Sequence, residues 1–156
     1  MKRIFSLTLM IAVLATAFAL LPAAQPRASA STSLPDSVYL AQQTSTTCTL
    51  TSAVMAMRAR AYLGGYGNWA NITEAAVRST AWTSDGLLWS FTYSFDGNYI
   101  SVGHVSTSGI SLSTLRNVLS SHPEGIVLYC SGNGQQHAVF ITDIEGDTVY
   151  CADPAG

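Results

Sequence analysis

The chain opens with an almost unbroken apolar run, Ile4 to Leu21, relieved only by Ser6, Thr8 and Thr16 and preceded by Lys2 and Arg3. Ala28, Ser29 and Ala30 behind it supply small residues at the cleavage positions, so residues 1–30 read as a secretory signal peptide. A membrane anchor is the competing reading, because a run of about 18 residues is near the lower limit for a span. The small-residue site favours removal. No later stretch is apolar for long enough to cross a bilayer, so residues 31–156 are expected as a single secreted, extracellular domain, not attached to a membrane once the signal is gone.

Within that domain the pattern runs from helical to alternating. Leu50, Val54, Met57 and Ala61 recur at helical spacing between Thr47 and Leu63, with Ala53 beside them, and Gly64-Gly65 is a ready stop. Thr46 or Thr47 would cap the start. Asn71, followed three residues later by Glu74, resembles a capping box for a short helix through Ala75, Ala76 and Val77. Aromatic and β-branched residues from Leu88 to Val105 flank Asp96-Gly97-Asn98, the signature of a β-hairpin. A further helix opens at Ser111 or Ser113, carries Leu112, Leu115, Val118 and Leu119 inward, and ends at His122-Pro123 and Gly125. Three strands follow: Gly125 to Cys130, His137 to Asp143 after a polar loop at Ser131 to Gln136, and Thr148 to Asp153 after a turn at Gly146-Asp147. Helices first and antiparallel strands afterwards describe an α+β fold.

Charge narrows the partners. Removing Lys2, Arg3 and Arg27 with the signal leaves four arginines against nine acidic residues, a formal charge of −5, and no lysine. Such a surface cannot neutralise a row of phosphates or an anionic bilayer, which argues against nucleic acid and lipid partners. Arg58 and Arg60, on the first helix, are expected to face solvent.

Four residues carry the candidate chemistry. Cys48 stands at the first turn of a helix, where free backbone N–H groups and the positive end of the dipole favour a thiolate. His137 begins a strand directly after a loop, a position from which an imidazole can project toward a helix end and serve as general base, then acid. With Gly146 and Asp147 at the turn centre, Asp153 falls opposite Val139 or Phe140, close enough to orient the His137 ring. Gln42 or its neighbour Gln43 would supply a side-chain amide donor which, with the Cys48 backbone N–H, would hold an oxyanion; one such donor is worth about 3 kcal/mol.

These segments resemble the papain-like cysteine peptidases, and most closely the bacterial extracellular proteins of the C39-like peptidase family. The resemblance rests on Gln42-Gln43-Thr44-Ser45-Thr46-Thr47-Cys48, on Gln136-His137-Ala138-Val139-Phe140, and on Ala152-Asp153-Pro154. It selects Gln42 over Gln43 as the oxyanion donor and implies a helix bearing the cysteine packed on an antiparallel sheet bearing His and Asp. It further implies hydrolysis of a peptide or amide bond in a peptide or protein substrate, through a Cys48 thioester, without metal or cofactor. Thr49 stands where many relatives have Gly, Arg58 to Gly125 is loosely matched, and relatives often continue beyond Pro154, which suggests a minimal or C-terminally truncated domain.

Other readings compete. A cell-wall amidase or transpeptidase would use the same dyad. A non-catalytic binding module would present Trp82, Trp89, Phe91, Tyr93 and Phe95, although aromatics at alternating spacing are more often core. His104, inside a possible strand, and His122, near a helix end, read as structural or surface residues, and Asp153-Pro154 can be a turn starter. No spacing of Cys and His suggests a zinc site. An exported protein permits a Cys130–Cys151 disulfide, but in a three-strand meander Cys130 lies near His137 and Cys151 near Thr142, beyond bridging distance, so none is expected.

Overall fold

The computed structural model describes residues 3–5, 28–29, 33–105, 109–132 and 135–156. Its elements run β1 (Arg3–Phe5), β2 (Ala28–Ser29), α1 (Cys48–Leu63), α2 (Glu74–Ala81), β3 (Trp82–Thr83), β4 (Gly86–Leu87), β5 (Phe91–Phe95) and β6 (Asn98–Val102). Then come α3 (Leu112–Ser120), β7 (Ile126–Gly132), β8 (Gln135–Glu145) and β9 (Thr148–Ala152). Single 3-10 turns stand at Asp36–Val38 and Trp69–Asn71. The signal peptide expected over residues 1–30 lies outside the described residues apart from β1 and β2. Among the described residues no helix is long and apolar enough to cross a membrane.

The architecture is mixed α+β, with a helix packed on small antiparallel sheets. β8 is the spine of the larger sheet: β9 pairs along one edge over Phe140 to Glu145, and β7 along the other over Gln135 to Ile141. β2 continues the β7 edge at Asp143 and Ile144, and β1 flanks β9. The polar loop expected at Ser131 to Gln136 is mostly strand, since β7 and β8 stay paired as far as Gly132 and Gln135. Opposed backbone groups keep bonding until the chain must turn. A bulge between Ile141 and Asp143 shifts the register, so Cys151 sits opposite Ile141 rather than Thr142.

Alternation on β8 divides the core. Phe140 packs with Ala152 and with Met55 and Ala59 of α1, while Ile141 and Ile144 pack with Leu119 of α3. A third cluster joins the other flank of α1, through Leu50, Val54, Met57 and Ala61, to Val77 of α2 and to Tyr93, Phe95 and Ile100 of the β5–β6 hairpin. α1 is thus covered on both flanks and is buried almost all round, well beyond the single apolar stripe. Gly125 enters β7 at φ +93°, and a Cβ there would meet the Phe140 ring at 2.6 Å, so only glycine lets this strand begin against β8.

Local rules account for most ends. Ser111 caps α3 by accepting from the Thr114 N–H, and Asp96 and Gly97, both at positive φ, turn β5 into β6. Two expectations are corrected. The cap of α2 is Thr73, which accepts from Ala76 N–H, whereas Asn71 closes the preceding 3-10 turn and the buried Glu74 carboxylate accepts from the Thr51 hydroxyl of α1. Arg58 is 8% exposed rather than solvent-facing. Its guanidinium donates to the carbonyls of Ile72 (2.7 Å), Ser37 (2.7 Å) and Ala70 (2.6 Å), tying α1 to the segments around the two 3-10 turns. Arg60 is exposed, as expected.

Candidate functional site

Of the expected site residues, His137, Asp153 and the Gln42 backbone meet at one end of the larger sheet. Cys48 is the first residue of α1. Thr47 occupies the cap position, yet its hydroxyl is engaged with the backbone of Thr44, donating to the carbonyl at 3.1 Å and accepting from the N–H at 3.3 Å. No side chain of the cap therefore takes the first-turn amides, and the head of α1 remains a place where backbone N–H groups can meet negative charge. One turn further on, Ser52 donates to the carbonyl of Ala138 at 3.1 Å, a buried bond that pins α1 to β8 beside His137.

His137 lies near the start of β8 and Asp153 directly follows β9. The register Phe140↔Ala152 carries Asp153 to the level of Val139, and from there its carboxylate reaches the ring. His137 Nε2 donates to Asp153 Oδ1 at 2.8 Å. The same oxygen accepts from the Ala155 N–H at 2.8 Å, which fixes the carboxylate within its turn. With Nε2 committed, Nδ1 is the ring nitrogen left to exchange a proton. The pair is placed for this, with His137 33% exposed and Asp153 15% exposed at the side chain.

Gln42 joins the same corner through its backbone, its N–H donating to the carbonyl of Pro154 at 2.8 Å. Its Oε1 is buried without a hydrogen-bond partner among the described residues. Gln43, by contrast, is exposed.

The thiol and the imidazole are not joined. Among the described residues the only hydrogen-bonding contact of Cys48 Sγ is with Thr49 Oγ1, at 4.0 Å. Burial pushes the Cys130 thiol up, and the charges of Asp153 and Cys48 push it further. Cys130 is directly opposite His137 and its thiol donates to the His137 carbonyl at 3.3 Å. Cys151 is likewise raised, by burial and then by Asp153 and Cys130. All three cysteines are free, and Cys130 and Cys151 stand on different neighbours of β8, opposite residues 137 and 141.

No family model, no curated protein and no solved structure matches this chain. An imidazole oriented by a carboxylate is a proton acceptor of defined tautomer. A cysteine at an uncapped helix head is a nucleophile candidate, and Gln42, half-buried beside the turn that follows β9, carries a side-chain amide. Among the described residues no three His, Cys, Asp or Glu side chains are grouped as metal ligands.

Two further contributors lie outside the residues expected at the catalytic site. Ser52 lies one turn beyond Cys48 in a run that also holds Thr49 and Thr51, so nothing in the sequence sets it apart. The other is an aromatic group. Trp89 is 61% exposed, its ring 4.9 Å from that of His104 and 6.3 Å from that of Tyr129. The alternating aromatics thus divide: Tyr93 and Phe95 are core, Phe91 and Trp82 are half-buried, and Trp89 faces solvent. His104 is not within a strand, since β6 ends at Val102, and it lies against Trp89. His122, exposed near the end of α3, pairs with Glu124 at 3.2 Å.

Proposed function

We propose that this protein is a secreted thiol hydrolase of papain-like type, a peptidase cleaving peptide or amide bonds through a Cys48 thioester. The reading rests above all on the 2.8 Å bond from His137 Nε2 to Asp153 Oδ1, which leaves Nδ1 as the ring nitrogen for proton transfer. In the reaction His137 Nδ1 takes the Cys48 proton and the sulfur attacks the carbonyl carbon. The Cys48 N–H and the Gln42 amide stabilise the oxyanion. The C–N bond then breaks as His137 returns the proton to the leaving amine. Water, deprotonated by the same ring, hydrolyses the thioester. Asp153 holds the tautomer throughout. The open thiol–imidazole gap is compatible with this sequence, because catalytic hydrogen bonds often tighten only when substrate is bound.

Mass spectrometry of the protein mixed with unfolded protein or with peptidoglycan fragments tests the proposal. An acyl adduct on Cys48 and its loss in Cys48→Ala would support it, and the donor that acylates separates peptidase from cell-wall amidase or transpeptidase. Absence of any adduct from either donor, with intact protein and a free thiol, contradicts it. The exposed Trp89 favours one rival, a binding module on the same scaffold, which predicts ligand binding with no acyl adduct.

A further inference from the structure

The aromatic group at the sheet edge lies outside the catalytic residues, and its position gives it a use. Directly opposed residues of an antiparallel pair share a face. Tyr129 is opposite Ala138 and Val127 opposite Phe140, and Phe140 packs against Met55 and Ala59. Tyr129 and Val127 therefore lie on the face that α1 covers, one residue pair from Cys130 and His137. Both are exposed, at 40% and 36%, although they flank a buried helix. Trp89 stands edge-on to Tyr129 and lies tilted against His104. Over the stretch that carries Tyr129, β8 is the only strand paired with β7 among the described residues, and among these the backbone N–H and C=O groups of its outer edge have no strand partner.

We infer that this edge is the substrate-docking strand: an extended peptide adds to the open side of β7 and lodges an aromatic or large apolar side chain between Trp89 and Tyr129. The inference rests on the thiol-hydrolase reading for what happens next, since a chain laid along β7 runs past Tyr129 toward the His137 end of the sheet. Two features commit the occupant to a peptide rather than a sugar. Edge backbone groups are complementary to another backbone, and the aromatic wall adds one side-chain pocket at the strand's alternating spacing. With a charge of −5 and no lysine in residues 31–156, a peptide rich in acidic residues is disfavoured.

Binding measured without turnover separates this inference from the catalytic reading. The Cys48→Ala protein is titrated into fluorescein-labelled octapeptides that carry one phenylalanine or one serine at each position in turn, and into labelled N-acetylglucosamine oligomers. Peptides with phenylalanine at one register should bind best. Trp89→Ala should weaken that peptide about tenfold or more, and Trp89→Phe should restore most of the affinity. N-methylation of alternate backbone amides should weaken it comparably, because the edge hydrogen bonds are lost. Trp89 is solvent-facing, so its variants are expected to fold, and circular dichroism checks this. Equal binding of phenylalanine and serine peptides, affinity unchanged in Trp89→Ala, or preference for the sugar oligomers would overturn the inference. Peptide binding with these dependences in a protein that forms no acyl adduct would support the inference while removing the catalytic reading.

Discussion

The two ends of α1 are built on different terms. At its C-terminal part Arg58 is bound to three carbonyls, and Gly64 and the Tyr66 N–H close the last turn on Arg60 and Ala61. At its head the cap hydroxyl is turned back on Thr44, and Cys48 makes one long contact with Thr49. One helix is thus anchored at both ends, through Ser52 and Thr51 near its head and Arg58 further on, and keeps unspent hydrogen-bonding capacity at Cys48 and the first-turn amides. Capacity left unspent in a folded protein stabilises nothing there, and it is available to a substrate.

Separating these ends by mutation gives effects that should fall in order. Arg58→Met leaves the carbonyls of Ser37, Ala70 and Ile72 unpaired, and denaturant unfolding should show a loss of about 4 kcal/mol, with the relative reactivity of the three thiols preserved in the folded fraction. Gln42→Ala should lower kcat about a hundredfold, about 3 kcal/mol of transition-state stabilisation, and leave the unfolding midpoint nearly unchanged. An equal loss in midpoint would assign Gln42 to packing instead. Ser52→Ala removes the bond to Ala138 that ties the head to β8; it should cost about 1–2 kcal/mol of stability and slow Cys48 acylation as well. If only stability falls, α1 is positioned by its apolar flanks alone.

Legibility followed the same division. α1, the β5–β6 hairpin, α3 and the three final strands were readable because caps, turn residues and apolar periodicity are local signals, and the Cys130–His137 pairing followed from strand order alone. The histidine–carboxylate pair was readable for a related reason: a tight turn at Gly146-Asp147 fixes which residues return to the same end of the hairpin. Arg58 was not readable. Its three acceptors come from loops 12 to 21 residues away, and backbone carbonyls carry no sequence signature. The Thr73 cap displaced the Asn71 box because Glu74, the residue meant to complete that box, is drawn instead to Thr51 of the neighbouring helix. Nor does a sequence say whether an alternating aromatic such as Trp89 lands in the core or beside it.

The smallest expected effect concerns the two bystander thiols. Cys130 and Cys151 are both raised by burial and by the Asp153 charge, and a thiol raised in this way stays protonated, hence unreactive, to higher pH. Their alkylation should therefore be slow at neutral pH and rise only above the ordinary thiol range. In Asp153→Asn the onset should move to lower pH, modestly, because burial is the larger cause at each site.

The joint action of Cys48 and His137 is tested most directly by the rate at which iodoacetamide labels each cysteine at neutral pH, read by peptide mass spectrometry in the wild-type protein and in His137→Ala. Cys48 should be labelled well ahead of Cys130 and Cys151, and that lead should be lost in the variant. Equal labelling of all three thiols, or a Cys48 rate indifferent to His137, would contradict it.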